Sequence, residues 1–126
     1  MSAEANKAIV RRTVDEVMNH GDLDAVDRYY APAMADEVKR WIAPFRDAFP
    51  DVAMEIVDLV AEGDKVVARF LCSGTHTGEW RGQEPTGRRF ERIDEVYFFT
   101  FEGDRIAGGW GIEDTLERFR QLGLDP

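Results

Sequence analysis

Apolar residues recur at helical spacing through the first third of the chain and alternate with polar ones through most of the rest. Ile9, Val10, Thr13, Val14, Val17 and Met18 form one stripe, which Asn19-His20-Gly21 ends. Asp22 can cap a second, short helix whose Leu23, Val26, Tyr29 and Tyr30 face inward. After Ala31-Pro32 a third stripe runs through Val38, Trp41, Ile42, Phe45 and Phe49, and Pro50 stops it. Period-two patterns then take over. Met54 to Glu62 and Lys65 to Thr77 flank the hairpin signal Gly63-Asp64. Residues 79–87 read as a long loop, rich in glycine and proline. Arg88 to Phe101 and Arg105 to Ile112 form a second hairpin around Glu102-Gly103-Asp104, and a short helix closes the chain.

Helices first, four antiparallel strands next and a helix last predict an α+β fold, with the helices on one face of the sheet. Strands this long must curl as they twist. A curled antiparallel sheet under N-terminal helices is cone-shaped and encloses a pocket, and pockets of that kind hold small ligands.

Composition narrows the picture without changing it. The 126 residues carry no internal repeat or linker, so residues 1–126 read as a single domain. No apolar run approaches the roughly 18 residues of a membrane span, and the first residues lack the basic start and apolar block of a secretory signal. Cys72 is the only cysteine, so no intrachain disulfide is expected and a cytoplasmic location follows. The net charge of −9 argues against a nucleic-acid partner, because the densest basic run, Arg88-Arg89-Phe90-Glu91-Arg92, is broken by Glu91. His20 and His76 are the only histidines and stand in no metal-ligand spacing, so no metal is expected.

The candidate chemistry lies where the last strand runs into the last helix. Trp110 and Asp114 are four residues apart, so on a strand they share a face. If that face lines the pocket, the pair is an aromatic wall beside a partly desolvated acid/base group. Asp114-Thr115-Leu116-Glu117 also fits a capping box, in which Asp114 is only the helix cap. Both readings stand on the sequence alone.

Taken in order, Ala48-Phe49-Pro50-Asp51, Glu62-Gly63-Asp64-Lys65-Val66-Val67, Gly74-Thr75-His76-Thr77-Gly78, Pro85-Thr86-Gly87, Trp110-Gly111-Ile112-Glu113-Asp114 and Gln121-Leu122-Gly123 carry a resemblance. The chain resembles the SnoaL-like polyketide cyclases of the nuclear transport factor 2-like superfamily, from about Val10 to Gly123. The resemblance implies cofactor-free acid/base chemistry, of the aldol ring-closure type, on a small hydrophobic or polycyclic, polyketide-like ligand of secondary metabolism. It gives Asp114 the role of general acid/base, matches His76 to the family's histidine and Trp110 to its pocket tryptophan, and implies a homodimer. The chain departs from the family pattern at Gly108-Gly109, where a Glu-His pair is usual, and in a shortened segment after Tyr30.

Asp94 is a candidate second carboxylate, with an ion pair to Arg92 or to a neighbouring strand as its plainer explanation. Trp80 is a candidate lid on the long loop. Tyr30, Phe45 and Gly108 complete the expected ligand-binding set, although helical spacing makes ordinary core the better reading for Phe45 and Trp41. The alternatives are an isomerase, dehydratase, epoxide-opening enzyme or hydroxylation partner on the same scaffold, or a ligand-binding dimeric module without catalysis, which the Gly108-Gly109 departure favours.

Overall fold

The computed structural model describes residues 2–126. Helix α1 (Ala3–Thr13) begins at Ser2, whose hydroxyl accepts the Ala5 N–H at 3.1 Å. Its helical path widens into a π-helical turn, Val14–Asn19, so the single stripe expected there becomes two segments. A 3₁₀ turn (Leu23–Ala25) leads into the one-turn helix α2 (Val26–Tyr29). Helix α3 (Pro32–Ala48) starts with proline at its first position and continues through Pro44. Strands β1 (Ala53–Glu62), β2 (Lys65–Thr75), β3 (Arg89–Glu102) and β4 (Arg105–Glu113) follow, then α4 (Thr115–Leu122), which Gly123 terminates in the left-handed conformation.

The four strands form one antiparallel sheet in the order β1-β2-β3-β4. The architecture is α+β, a curved, unclosed sheet with helices over its concave face, as the sequence pattern predicts. The core joins Val10, Val17, Val26, Val38, Ile42 and Phe49 from the helices to Val66, Ala68, Phe70, Cys72, Phe90 and Ile93 from the sheet. No helix is long and apolar enough to cross a membrane among the described residues.

Irregularities in the strands fix which residues reach the concave side. On β2 the even positions Val66, Ala68, Phe70 and Cys72 are buried. On β3, Gly74 pairs with Phe90 but Cys72 pairs with Ile93, so β3 holds one extra residue there, and Arg92 takes a φ of 54°. Such a bulge moves the inward face from even to odd positions. A second shift separates the Phe101–Ile106 and Thr100–Gly108 pairs, next to Gly109 with a φ of 150°. Beyond it Gly109, Gly111 and Glu113 pair with Phe99, Tyr97 and Glu95 on the concave side, while Trp110 and Ile112 pair with Phe98 and Val96 on the convex side.

Candidate functional site

A cavity of about 390 Å³ lies between the sheet and the helices. Its apolar walls come from Met18 on the π-helical turn, from Trp41, Ile42, Pro44 and Phe45 on α3, and from Trp80. Glu95 and Tyr97 of β3 and Glu113 of β4 supply the polar wall, and Glu79 and Arg81 sit on the loop between β2 and β3. Trp41 is 56% exposed, so this position of the α3 stripe is a cavity edge rather than ordinary core.

Behind the polar wall, Arg118 of α4 is fully buried and holds both carboxylates. Its Nη1 donates to Glu113 Oε1 at 2.6 Å, and its Nη2 donates to Glu95 Oε2. The guanidinium lies over the rings of Phe90, 4.6 Å from the centroid, and Phe45, at 5.2 Å. Burial alone disfavours the Arg118 charge, but Glu95 and Glu113 outweigh that and raise its pKa. The Tyr97 hydroxyl lies 3.0 Å from Glu113 Oε2 and 3.2 Å from Glu95 Oε1. It has a single proton to donate, so it bonds to one carboxylate at a time.

Glu95 is only 3% exposed. Burial raises its carboxyl above the ordinary value; Arg118 opposes that shift and the Glu113 charge adds to it. Burial, with Glu95 and Glu113 nearby, pushes the Tyr97 phenol up as well, so Tyr97 stays a neutral donor. Burial and Glu95 likewise push up the Cys72 thiol, which keeps this buried cysteine protonated. Two carboxyl groups thus share one guanidinium and one phenol. A carboxylate of this pair can accept a proton and, once protonated, return it.

Glycines make room for this geometry. A Cβ at Gly111 would come within 2.1 Å of the Tyr97 ring, so Tyr97 can lie across β4 only because position 111 is glycine. At Gly109 a Cβ would meet the Phe98 carbonyl oxygen at 2.0 Å.

The residues expected from the sequence are dispersed. Asp114 is exposed and caps α4, accepting the Glu117 N–H at 3.1 Å. Only that arm of the capping box forms, because the Asp114 N–H goes to the Asp94 carbonyl and the Glu117 carboxylate to Arg120. Asp114 is absent from the cavity lining; the carboxylate that reaches the cavity at this strand end is its neighbour Glu113. Trp110 is 60% exposed and stacks on Phe98 with ring centroids 4.9 Å apart, on the convex face. Asp94 is also exposed, and accepts from Arg69 Nη2 at 2.7 Å. The two bulges account for all three placements, since each exchanges the inward and outward positions of its strand.

His76 is buried outside the cavity lining. Its Nδ1 accepts the Thr86 N–H at 3.2 Å, and its backbone bonds to Arg88 and Gly87, so it ties down the end of the 79–87 loop. Burial lowers its pKa. The start of the loop is held by Thr77 and Gly78 N–H bonds to the Ala48 carbonyl, at 3.0 and 3.1 Å. Trp80 packs in the cavity wall against Phe119 at 4.9 Å and Phe49 at 5.4 Å. Phe45 joins it in the cavity. Tyr30 is buried, which pushes its phenol up to about 12, and together with Gly108 and Trp110 it lines a smaller apolar groove of about 80 Å³. That groove shares Trp41 and Tyr97 with the main cavity.

Glu95, Glu113, Tyr97 and Arg118 escape a reading by strict alternation. The available cue is Gly108-Gly109 inside a strand, since paired glycines mark a bulge. For Arg118, beside Phe119 on a short terminal helix, no sequence signal distinguishes an inward-facing charge from an exposed one. No cluster of metal-ligating side chains occurs among the described residues.

A family model described as SnoaL-like polyketide cyclase matches residues 8–122. A search of curated proteins gives no match. Among solved structures, a proposed polyketide cyclase from Acidithiobacillus ferrooxidans is 29% identical, with 98% of both chains covered and a TM-score of 0.85. TsrD from Streptomyces laurentii is 28% identical over 98% of both chains, with a TM-score of 0.86. AclR, a proposed hydroxylase from Streptomyces galilaeus, is 26% identical over 97% of this chain and 83% of its own, also at 0.86.

Proposed function

Because the chain belongs to the SnoaL-like polyketide cyclase family, we propose that it is an enzyme of secondary metabolism that carries out cofactor-independent acid/base chemistry on a polyketide-like ligand in its cavity. The observation that carries this reading is the pairing of Glu95 with Glu113 across β3 and β4, bridged by Tyr97 and Arg118 against an aromatic-walled cavity. Glu113 removes a proton alpha to a ligand carbonyl. The resulting enolate carbon attacks a second carbonyl carbon and forms the ring bond. The new alkoxide takes that proton back from the protonated Glu113, directly or through the Tyr97 hydroxyl 3.0 Å away, so both carboxyl groups end as they began. No redox partner is needed, because the product is an isomer of the substrate.

In this reading Asp114 positions rather than reacts: by capping α4 it fixes the turn that aims Glu113 and the helix that delivers Arg118. The surface position of Asp114 also favours a second reading, ligand binding without turnover. A substrate-independent assay separates the two. The protein should accelerate exchange of the alpha protons of 1-tetralone for deuterium, and Glu113→Gln should lower that rate by about 10²-fold or more. Saturable 1-tetralone binding with no acceleration would favour the binding module.

We further propose a homodimer and a cytoplasmic location. A cross-strand row of Val60, Val67, Phe98 and Trp110, flanked by Val96 and Ile112, supports the dimer by making the convex face apolar. Light scattering that finds only monomer would contradict it. The buried, unpaired Cys72 suits a reducing compartment.

A further inference from the structure

The rim of the cavity carries a cation that the acid/base chemistry does not use. Trp80 and Gln83 exchange both backbone bonds, Trp80 N–H to Gln83 O at 3.0 Å and Gln83 N–H to Trp80 O at 2.8 Å. Arg81 and Gly82 between them have φ values of 51° and 78°. These two positive values make a two-residue turn of the type in which Asn or Gly is the unstrained choice at the first central position. Here that position is arginine, held in a backbone conformation that few side chains adopt.

The Arg81 guanidinium lies over the Trp80 ring, 5.3 Å from its centroid, and Arg81 lines the cavity. Among the described residues no carboxylate lies within 4.0 Å of it, although Glu79 sits on the same rim. Arg118 differs, being enclosed and spent on two carboxylates. The cavity thus carries a free guanidinium from the loop between β2 and β3 and the Glu95–Glu113 pair from β3 and β4.

We propose that Arg81 recognises an acidic group on the ligand, a carboxylate above all, and thereby sets which end of the molecule faces Glu113. A planar ligand stacked along Trp80 places its anion on the guanidinium fork, which suits two carboxylate oxygens. The reverse orientation sets the anion against Glu95 and Glu113 and is repelled. The substrate class is therefore an aromatic or polyketide-derived acid rather than its neutral ester. This inference rests on the cavity being the ligand site, as in the function proposed above.

Anthraquinone-2-carboxylate and its methyl ester are matched probes, and quenching of tryptophan fluorescence reads their binding to the full chain. The parent protein should bind the carboxylate about tenfold more tightly than the ester, with a preference that weakens as salt is raised. Arg81→Asn keeps the turn in an unstrained residue, so the thermal midpoint should hold or rise while the tenfold preference disappears and ester binding stays within about twofold. Equal affinity of the parent for the two probes would mean that Glu79 neutralises Arg81 in solution, and would overturn the inference while leaving the cavity as the ligand site. A parallel loss of both probes in Arg81→Asn would reduce Arg81 to packing on Trp80 and overturn it too. If the parent bound neither probe, the cavity reading and this inference would fall together.

Discussion

The concave and convex faces of β3 and β4 are built from the same residue types one position apart, and they do different work. On the convex face Asp94 pairs with Arg69, and Phe98 stacks on Trp110. On the concave face Glu95 pairs with Arg118, and Tyr97 lies across Gly111. Asp94 and Arg69 are half exposed, so water screens their charges and the pair contributes little. Glu95 and Arg118 are out of water, where the same charges hold the fold's terminal helix to the sheet and keep a proton in play. A side chain's environment here is a property of the face, and the face is set by two bulges.

The largest expected contrast is in stability. Arg118→Met leaves Glu95 buried without its cation and should lower the unfolding free energy by about 3–5 kcal/mol. Arg69→Met should cost less than about 1 kcal/mol. Urea denaturation of the two variants measures both, and adding Glu95→Gln to Arg118→Met should recover part of the loss. Equal effects for the two arginines would dissolve the distinction between the faces.

A smaller contrast is in pH dependence. Because the folded Glu95 carboxyl is raised by burial, the folded state keeps this proton to higher pH than the unfolded chain does. Its contribution is full below the unfolded value of 4.5 and is lost as pH rises through the folded value. Glu95→Gln should flatten that decline in urea midpoints. Asp94→Asn should leave it unchanged. His76 runs the other way: its folded pKa is lowered by burial, so its contribution is present above the unfolded value of 6.5 and is lost as pH falls through the folded one. His76→Gln, which keeps an acceptor for the Thr86 N–H, should remove that acid-side loss.

The smallest effect belongs to the cap. Asp114→Ala should destabilise by about 1 kcal/mol through α4 alone, a shift readable by thermal melting. A loss of several kcal/mol would mean that Asp114 supports more than one helix turn.

The architecture was legible in the sequence because it rests on periodicity. The stripes through Ile9–Met18 and Val38–Phe49, the Gly63-Asp64 and Gly103-Asp104 turns and the alternating strands each state their element directly. The cavity residues were less legible because the inward face of a strand is a parity, and one inserted residue inverts it. Alternation carried unbroken to the strand end makes Trp110 and Asp114 a pair; with the bulge near Gly108-Gly109, the pair on the cavity side is Gly111 and Glu113. Phe45, expected in the core or the pocket, and Trp80, expected on a lid, both line the cavity, a place that does not depend on strand parity. Arg118 was illegible for another reason: besides nearby Glu113, its burial follows from the rings of Phe45 and Phe90 and from Glu95, all remote in sequence.

The most direct test compares two adjacent carboxylates in the 1-tetralone exchange assay. The account predicts that Glu113→Gln lowers the exchange rate by about 10²-fold or more, while Asp114→Asn, corrected for any loss of folded protein, stays within about threefold of the parent, as expected for a residue that positions without reacting. An Asp114→Asn variant as inactive as Glu113→Gln, or a fully active Glu113→Gln, would contradict it.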